Sequence, residues 1–247
     1  TERGDKVVVA AVVVYLGYAY ADVHRAAVTL LRGLVDPESM RIVLAQLRNP
    51  DPARRICILG TLRQLVEVGD DVTIAAIKSC LIDVDNGVRA AALTALGRLA
   101  QKGDADILSS VLGHIADLCE EVLASAVAAT KRLAPKGSKN AISGLLTQAF
   151  HSSVQIRICV VEALGCLVTS DDFDARSTLL RCLQDDVSEV RLATIDALHV
   201  FAQSSDENAS VAIAQCLQDR DHAVRWAAVD SLSEMPESGI DLLHVVI

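Results

Sequence analysis

Residues 83–100 read DVDNGVRAAALTALGRLA, a stretch that joins an acidic turn to a helical pattern. Asp83 and Asp85 stand in the turn, Val88 and Arg89 follow, and small and large apolar residues then recur at steps of three and four. This spacing gathers the apolar side chains on one face of an α-helix, whereas a strand would alternate. The stretch therefore predicts a turn followed by one amphipathic helix.

The same pattern recurs along the whole chain. With Val88 as the reference, five of the six intervals between equivalent positions are 34 residues, and the first is 31. The reference positions are Val23, Arg54, Val88, Val122, Ile156, Val190 and Val224. Eleven residues further on, every repeat has an apolar residue, such as Leu99 or Leu133. Self-similarity at a fixed period indicates a repeat architecture.

A second apolar segment precedes each turn, for example IVLAQL at residues 42–47. Each such segment follows a short polar residue in the same register: Asp5, Asp36, Asp70, Asp104, Ser138, Asp172 and Asp206. Side-chain oxygens of these types accept hydrogen bonds from the free amides of a first helical turn. Pro37 suits a first helical position, because its missing N–H costs nothing there. Each repeat is predicted to contain an N-cap, helix A, an acidic turn and helix B.

The pattern resembles HEAT repeats, particularly the short units of the phycobilisome-lyase-like branch. The resemblance is carried by a turn Asp, a Val-Arg pair whose Arg lies six residues on, and Ala-Ala-x-x-Ala-Leu-x-x-Leu along helix B. The matching turns are Asp83 with Val88-Arg89, Asp185 with Val190-Arg191, and Asp219 with Val224-Arg225. The resemblance implies a ladder in which the Asp and Arg side chains link neighbouring repeats through hydrogen bonds.

Other repeats depart from this motif. His151 replaces the turn Asp before Arg157, Asn49 precedes Arg55, and Leu123 replaces the motif Arg. We therefore expect the ladder to be weak or broken at the fourth repeat.

A 34-residue period also suits tetratricopeptide repeats. Those repeats need aromatic residues in helix A and a proline near the end of helix B. Here helix A mostly lacks the aromatic residues, and only Pro135 and Pro236 lie suitably late. The HEAT interpretation is therefore favoured.

The fold class predicted is all-α. The resemblance implies a right-handed α-α superhelix, a HEAT-type solenoid of the armadillo type, with seven helix pairs and a partial eighth. The chain is expected to form one solenoid with approximate repeats 5–35, 36–69, 70–103, 104–137, 138–171, 172–205, 206–238 and a partial 239–247. Because the sequence starts without Met and ends inside an eighth helix A, we expect it to be part of a longer chain or complex.

Composition and charge limit the function. The net charge of −9 counts against nucleic-acid binding, which needs a basic surface. Residues 1–139 hold 17 Lys/Arg and 16 Asp/Glu, a charge of +1, whereas residues 140–247 hold 6 and 16, a charge of −10. Seven cysteines without a Cys-x-x-Cys pair suit a reduced compartment, so a cytoplasmic location is expected and a nuclear one stays open. The apolar run Val7 to Ala21 is too short to span a bilayer, and no membrane partner is predicted.

No motif in the sequence predicts catalysis. The six histidines are dispersed and none forms a His-Glu pair, although the similar deoxyhypusine hydroxylase binds iron through such pairs. Phosphate-binding loops and nucleophile elbows are also missing. Cys57 and Cys159 occupy the repeat position of Ala91, which is typical of small core residues. We expect no enzymatic activity, no catalytic residue, no cofactor and no metal.

Binding is the function predicted, because a solenoid presents an extended surface. Three carboxylates recur at one helix B position, and one turn earlier the same helices carry apolar residues; in the N-terminal half the later helix B positions are basic. The candidate partner-binding residues are Ile158, Glu162, Leu192, Asp196, Trp226, Asp230, Arg63, Arg98, Lys131 and Arg132. A groove with these two halves suits a peptide or helix with Lys/Arg beside apolar anchors. Trp226, the single Trp, is the favoured anchor.

A solvated helix face is the simpler explanation of the acidic column, and that alternative stays open. The predicted function is a noncatalytic scaffold or adaptor that binds a protein or peptide along the inner helix B surface. One alternative is a regulatory or chaperone-like subunit of an enzyme, as in the bilin lyase relatives, which a spectral change with a tetrapyrrole would favour. Another is a structural arm of a large complex.

Overall fold

The computed structural model describes residues 3–17, 21–204 and 206–234. Within these ranges the chain is helical and contains no strand, as predicted. The helices are α1 (Lys6–Val13), α2 (Ala21–Leu34), α3 (Met40–Ala45), α4 (Pro52–Leu65), α5 (Asp71–Ser79), α6 (Asn86–Leu99), α7 (Ala105–Leu112), α8 (Glu120–Leu133), α9 (Lys139–Leu146), α10 (Val154–Leu167), α11 (Phe173–Cys182), α12 (Ser188–Ala202), α13 (Glu207–Gln215) and α14 (His222–Ser233).

Odd-numbered helices are the A helices and even-numbered helices are the B helices, which gives seven pairs in the described ranges. Several A helices end in a short 3-10 turn, as at Cys80–Ile82 and Cys216–Gln218. The expected partial eighth repeat, 239–247, lies outside the described residues. The chain divides into two compact units, residues 1–133 and 134–247.

The core of each unit consists of B helices packed side by side. In unit 1, α4 packs on α6 and α6 on α8; in unit 2, α10 packs on α12 and α12 on α14. The residues eight positions past each reference are all buried: Leu31, Leu62, Leu96, Thr130, Leu164, Leu198 and Leu232. Val88, Val122 and Ile156 are also buried, whereas Val23 and Arg54 are not. The repeat register therefore places equivalent residues in equivalent environments from the third repeat onward.

Two glycines allow the B helices to approach closely. A Cβ at Gly97 of α6 would lie 3.0 Å from the Cα of Ala129 on α8. A Cβ at Gly165 of α10 would lie 3.1 Å from the Cα of Ala197 on α12. Both glycines stand nine residues past the reference, so each unit has a close helix contact at the same repeat position.

The Asp–Arg ladder implied by the resemblance is present within each unit. Arg191 donates to the Asp185 carbonyl at 2.8 Å, and its Nε and Nη2 donate to the two Asp219 carboxylate oxygens at 2.8 and 2.7 Å. The equivalent pairs are Arg55–Asp83, Arg89–Asp117 and Arg157–Asp185. Each arginine thus ties its own turn to the turn of the next repeat.

The departures from the motif have local substitutes. His151 Nδ1 accepts the Ser153 amide at 3.0 Å, which is the role that Asp83 Oδ1 has toward the Asp85 amide. Leu123 is buried and has no guanidinium to donate. The turn at the fifth repeat therefore keeps its shape without a carboxylate, while the fourth repeat lacks the donor, as expected.

Four of the predicted N-caps accept amide hydrogen bonds from their A helices: Asp5, Asp70, Asp104 and Asp206. Ser138 and Asp172 occupy the N-cap position without such a bond. Asp36 accepts the Ser39 amide at 2.7 Å through Oδ1 and the Met40 amide at 2.9 Å through its carbonyl, so it caps the turn that leads into α3; the helix itself begins at Met40, with Ser39 at its N-cap position. Pro37 consequently does not occupy the first helical position.

The junction between repeats contains a feature that the sequence analysis missed. Gly4, Gly69, Gly103 and Gly137 have φ angles of 87, 89, 90 and 79°. The amide of each donates to the carbonyl of the last leucine of the following helix B, at 2.7 or 2.8 Å: Leu34, Leu99, Leu133 and Leu167 respectively. Glycine tolerates this left-handed backbone at no steric cost. The junction therefore links neighbouring repeats through the main chain.

No helix in the described ranges has the length and apolar character needed to cross a membrane.

Candidate functional site

The candidate residues of unit 2 form two rows on its B helices. The apolar row consists of Ile158 on α10, Leu192 on α12 and Trp226 on α14; the first two are half-buried and Trp226 is 62% exposed. The acidic row, one turn later on the same helices, consists of Glu162, Asp196 and Asp230, all exposed. Because α10, α12 and α14 pack in sequence, equivalent positions on neighbouring helices lie side by side.

The acidic row is electrostatically coupled at Asp196. Partial burial raises the pKa of the Asp196 carboxyl, and the nearby Glu162 charge raises that pKa further, while His199 lowers it. Although Asp196 reaches solvent, neighbouring protein atoms remove part of its hydration, which disfavours the charged form. Keeping the Asp196 carboxylate ionised in this row therefore costs free energy.

His199 adds a polar side chain beside this row that the sequence analysis did not select. It lies one turn past Asp196 on α12, and its Nδ1 is 3.0 Å from Ser231 Oγ on α14. Its Nε2 is 3.4 Å from a carboxylate oxygen of Glu234. The imidazole therefore bridges α12 and α14 one helical turn past the acidic row. Its spacing of three residues from Asp196 was the available sequence signal.

Two of the four candidate residues of unit 1 line a cavity. Arg63 of α4 and Arg98 of α6 are exposed and line a space of about 250 Å³. Its floor consists mainly of small and aliphatic side chains: Ile56, Leu59, Gly60, Ala90, Ala91, Thr94 and Ala95. Arg132 of α8 is exposed, whereas Lys131 is half-buried. The structure therefore brings Arg63 and Arg98 together on one side of an apolar depression.

The basic set belongs to unit 1 and the acidic and apolar rows belong to unit 2. One groove that would join the two sets stays a prediction.

Exposed aliphatic residues on two turns of unit 1 were also missed. Ile82, Val84 and Leu118 are 86, 95 and 102% exposed in the turns before α6 and α8. At the repeat position of Val84 and Leu118, unit 2 has Ser152, Asp186 and Arg220. The signal was an apolar residue inside an otherwise acidic turn, which the analysis of helix faces did not consider.

Cysteine and histidine side chains form no reactive arrangement in the described residues. Cys57 Sγ lies 3.4 Å from His24 Nδ1, but burial raises the pKa of the Cys57 thiol. Burial and nearby Asp residues raise the pKa of Cys182 and Cys216 to about 11. A neutral thiol is a weak nucleophile. No group of three or more His, Cys, Asp or Glu side chains in these ranges is placed to hold a metal ion.

A larger cavity, about 970 Å³, opens beside α11 and α13 of unit 2. Its walls include Asp185, Arg191 and Asp219, which are already bonded to one another in the ladder. This cavity therefore lies between A helices beside the ladder, and none of the candidate residues lines it.

Comparisons with known proteins agree with this architecture. Residues 176–205 match the HEAT repeat family model. A search of curated proteins finds no significant match. Similar solved structures include an engineered protein at 16% identity, covering 94% of this chain and 97% of that one with a TM-score of 0.56. A designed armadillo repeat protein in complex with the peptide (KR)4 is 19% identical, with coverage of 77% and 97% and a TM-score of 0.60.

The Escherichia coli protein YibA is similar at 17% identity, with coverage of 92% of this chain and 79% of that one and a TM-score of 0.60. At such identities the likeness concerns the fold alone. Together with the helix pairs and the repeat match at residues 176–205, it shows that this chain is a repeat protein with the armadillo/HEAT-type α-solenoid fold.

Proposed function

We propose that this chain is a noncatalytic scaffold or adaptor that holds a protein or peptide partner on the B helices of unit 2. The observation that carries the proposal is the exposure of Trp226, 62%, in a chain with one Trp and only 3% aromatic residues. Large aromatic side chains dominate the energetics of many interfaces, and leaving one in water forgoes the stabilisation that burial would give.

The partner proposed has basic residues beside apolar ones. Trp226, Leu192 and Ile158 offer apolar contact, and the acidic row of Glu162, Asp196 and Asp230 offers carboxylates one turn away. A cation that pairs with Asp196 meets a carboxylate that is already partly dehydrated, so less hydration is lost on binding. The charge of the row selects Lys and Arg over Asp and Glu.

A protein of the same fold supports this choice of partner. The designed armadillo repeat protein similar to this chain was solved with (KR)4, a peptide of alternating Lys and Arg. Repeat proteins of this architecture can therefore present a surface to a basic peptide.

The test uses the peptide (Lys-Arg-Leu)3 and the fluorescence of Trp226, the single Trp. Binding should shift the Trp emission to shorter wavelength, because the indole leaves water. The Asp196→Lys, Asp230→Lys variant should bind at least about tenfold more weakly, since two attractive charges become repulsive. The matched control is Asp174→Lys, which reverses an exposed charge on helix α11 of the same unit.

Circular dichroism must show the same helix content in all variants. Equal affinity of wild type and the Asp196→Lys, Asp230→Lys variant would refute the proposed surface. So would an equal shift of the Trp226 emission on addition of the acidic peptide (Glu-Asp-Leu)3.

A further inference from the structure

Three arginines at the ends of α4, α6 and α8 have no ion-pair partner among the described residues. Arg63, Arg98 and Arg132 are exposed, and none forms an ion pair or a side-chain hydrogen bond with another described residue. The ladder arginines of the same unit, Arg55 and Arg89, are by contrast bonded to carboxylates. The three side chains are thus available to an external anion.

These arginines lie at the same end of three helices that pack in sequence. Each stands in the last turn of its helix: Arg63 on α4, Arg98 on α6 and Arg132 on α8. The Cδ of Arg132 is 3.7 Å from the position that a Cβ on Gly97 would take, so the stem of Arg132 lies beside the residue that precedes Arg98. Successive helices therefore present a row of guanidinium groups.

An apolar depression borders this row. Arg63 and Arg98 line the cavity of about 250 Å³, and Gly60, Thr94 and Glu121 are among its other lining residues. Glu121 stands in the first turn of α8, whereas the two arginines stand in the last turns of α4 and α6. Nothing lies within 4 Å of a Cβ placed on Gly60, so the space above this glycine is open. The space is large enough for an aliphatic side chain. Charge at the rim and an apolar floor together define a site for a group of mixed character.

We infer that unit 1 carries a second binding site, specific for an extended acidic peptide with one aliphatic residue in the cavity. Packed helices lie about 8–10 Å apart. An extended polyproline II chain has three residues per turn and rises about 3.1 Å per residue, so carboxylates three residues apart lie on one face, span about 9 Å and match consecutive arginines. This site prefers charge opposite to that of the proposed unit 2 surface and does not depend on it.

Nucleic acid fits the site less well than peptide. No aromatic ring lines the cavity, so bases find no stacking platform there. The chain carries a net charge of −9, which repels a phosphate backbone. A short acidic peptide carries far fewer charges than an oligonucleotide, so the net charge of the chain repels it less strongly.

The test measures fluorescence anisotropy of a rhodamine-labelled peptide, (Glu-Leu-Ser)3, added to the whole chain. Wild type should bind it, and added salt should weaken binding because the contacts are charged. The Arg63→Gln, Arg98→Gln variant should lose at least about tenfold in affinity. Arg41→Gln, which removes an exposed arginine on helix α3, should bind like wild type.

A second variant tests the cavity separately from the charge. Gly60→Phe places a ring in the open space and leaves all arginines in place, so it should weaken binding of (Glu-Leu-Ser)3 while leaving that of (Glu-Ser-Ser)3 unchanged. Circular dichroism of each variant shows whether the helices are intact.

Three results would overturn the inference: equal binding by the Arg63→Gln, Arg98→Gln variant, displacement of the labelled peptide by (Lys-Leu-Ser)3 as readily as by unlabelled (Glu-Leu-Ser)3, or displacement more readily by a nine-nucleotide oligothymidine than by unlabelled (Glu-Leu-Ser)3. Trp226→Ala should leave (Glu-Leu-Ser)3 binding unchanged. Because the two proposals use opposite peptides and different variants, failure of either one is recognised separately.

Discussion

At the residue scale, Arg191 combines structural roles that few side chains share. Its guanidinium donates to the Asp185 and Asp186 carbonyls and to both carboxylate oxygens of Asp219, and only 4% of the side chain is exposed. Replacing it with Leu, the residue at the equivalent position 123, leaves a largely buried carboxylate without its cation. We expect Arg191→Leu to lower the free energy of unfolding by about 3 kcal/mol, measured by urea denaturation.

The control for this prediction is Arg191→Leu combined with Asp219→Asn. The Asn side chain is neutral and can still accept the Asp221 amide, which Asp219 binds at 2.7 Å. The double variant should therefore recover more than half of the loss. A loss of less than about 1 kcal/mol for Arg191→Leu alone would show that the ladder contributes little.

A second residue-scale prediction concerns Asp196. Burial and the Glu162 charge raise its pKa, so the folded state binds a proton more tightly than the unfolded state does. The ionised carboxylate therefore destabilises the fold at neutral pH, and this cost disappears as the pH falls through the folded-state pKa. Asp196→Asn should raise the free energy of unfolding at neutral pH by at most about 0.5 kcal/mol, because solvent screens an exposed group.

The same Asp196→Asn variant should bind (Lys-Arg-Leu)3 more weakly. Thermal melts at neutral pH and below about pH 4 measure the difference in stability between the variant and wild type. This stability difference should be smaller in acid. A stabilised variant with unchanged peptide affinity would assign the carboxylate no part in binding.

At the scale of elements, the junction glycine Gly103 and the exposed helix glycine Gly60 predict opposite effects of one added methyl group. Gly103 has φ near 90° and no atom within 4 Å of an added Cβ, so Ala costs about 1–2 kcal/mol through the backbone alone. Gly60 lies inside α4 with equally open surroundings, so Ala should stabilise by about 0.5–1 kcal/mol. Urea denaturation of Gly103→Ala and Gly60→Ala measures both, and equal signs would contradict the argument.

The contact between α10 and α12 gives a further element-scale prediction. In Gly165→Ala the new Cβ would lie 3.1 Å from both Cα and Cβ of Ala197, which is backbone that cannot move aside alone. The helices must separate, and overpacking of this kind costs about 1–3 kcal/mol, partly offset by the better helix propensity of Ala. We expect a lower melting temperature, whereas an unchanged one would mean that the helices separate easily.

At the scale of the whole molecule, the 34-residue period predicted which segments form A and B helices and which of their residues are buried. Leu96 and Leu164 are equivalent by register, and both are buried because each repeat presents the same face to its neighbour. The role of the junction glycines was not predicted, because a positive φ leaves no hydrophobic pattern in the sequence. The hydrogen bond from Ser39 to Asp36 was not predicted, because either side chain could cap this turn. For the site, the sequence predicted the two rows, but the cavity at Arg63 depends on how α4 and α6 pack.

Acid sensitivity of the whole chain is the last prediction. For Asp83, Asp117 and Asp185, burial alone would raise the carboxyl pKa. Hydrogen bonds from a backbone amide and from the ladder arginine outweigh burial and hold the pKa below its usual value. At Asp219 the pKa is also lowered, and the hydrogen bond from Arg191 is the largest cause. A folded-state pKa below the unfolded one gives stability that is present at neutral pH and lost as the pH falls through the folded-state values, below about pH 4. Both units contain such carboxylates, so urea denaturation should show stability falling steeply in this range. The Arg191→Leu, Asp219→Asn variant should show a shallower decline, and equal slopes would mean that other groups set the acid response.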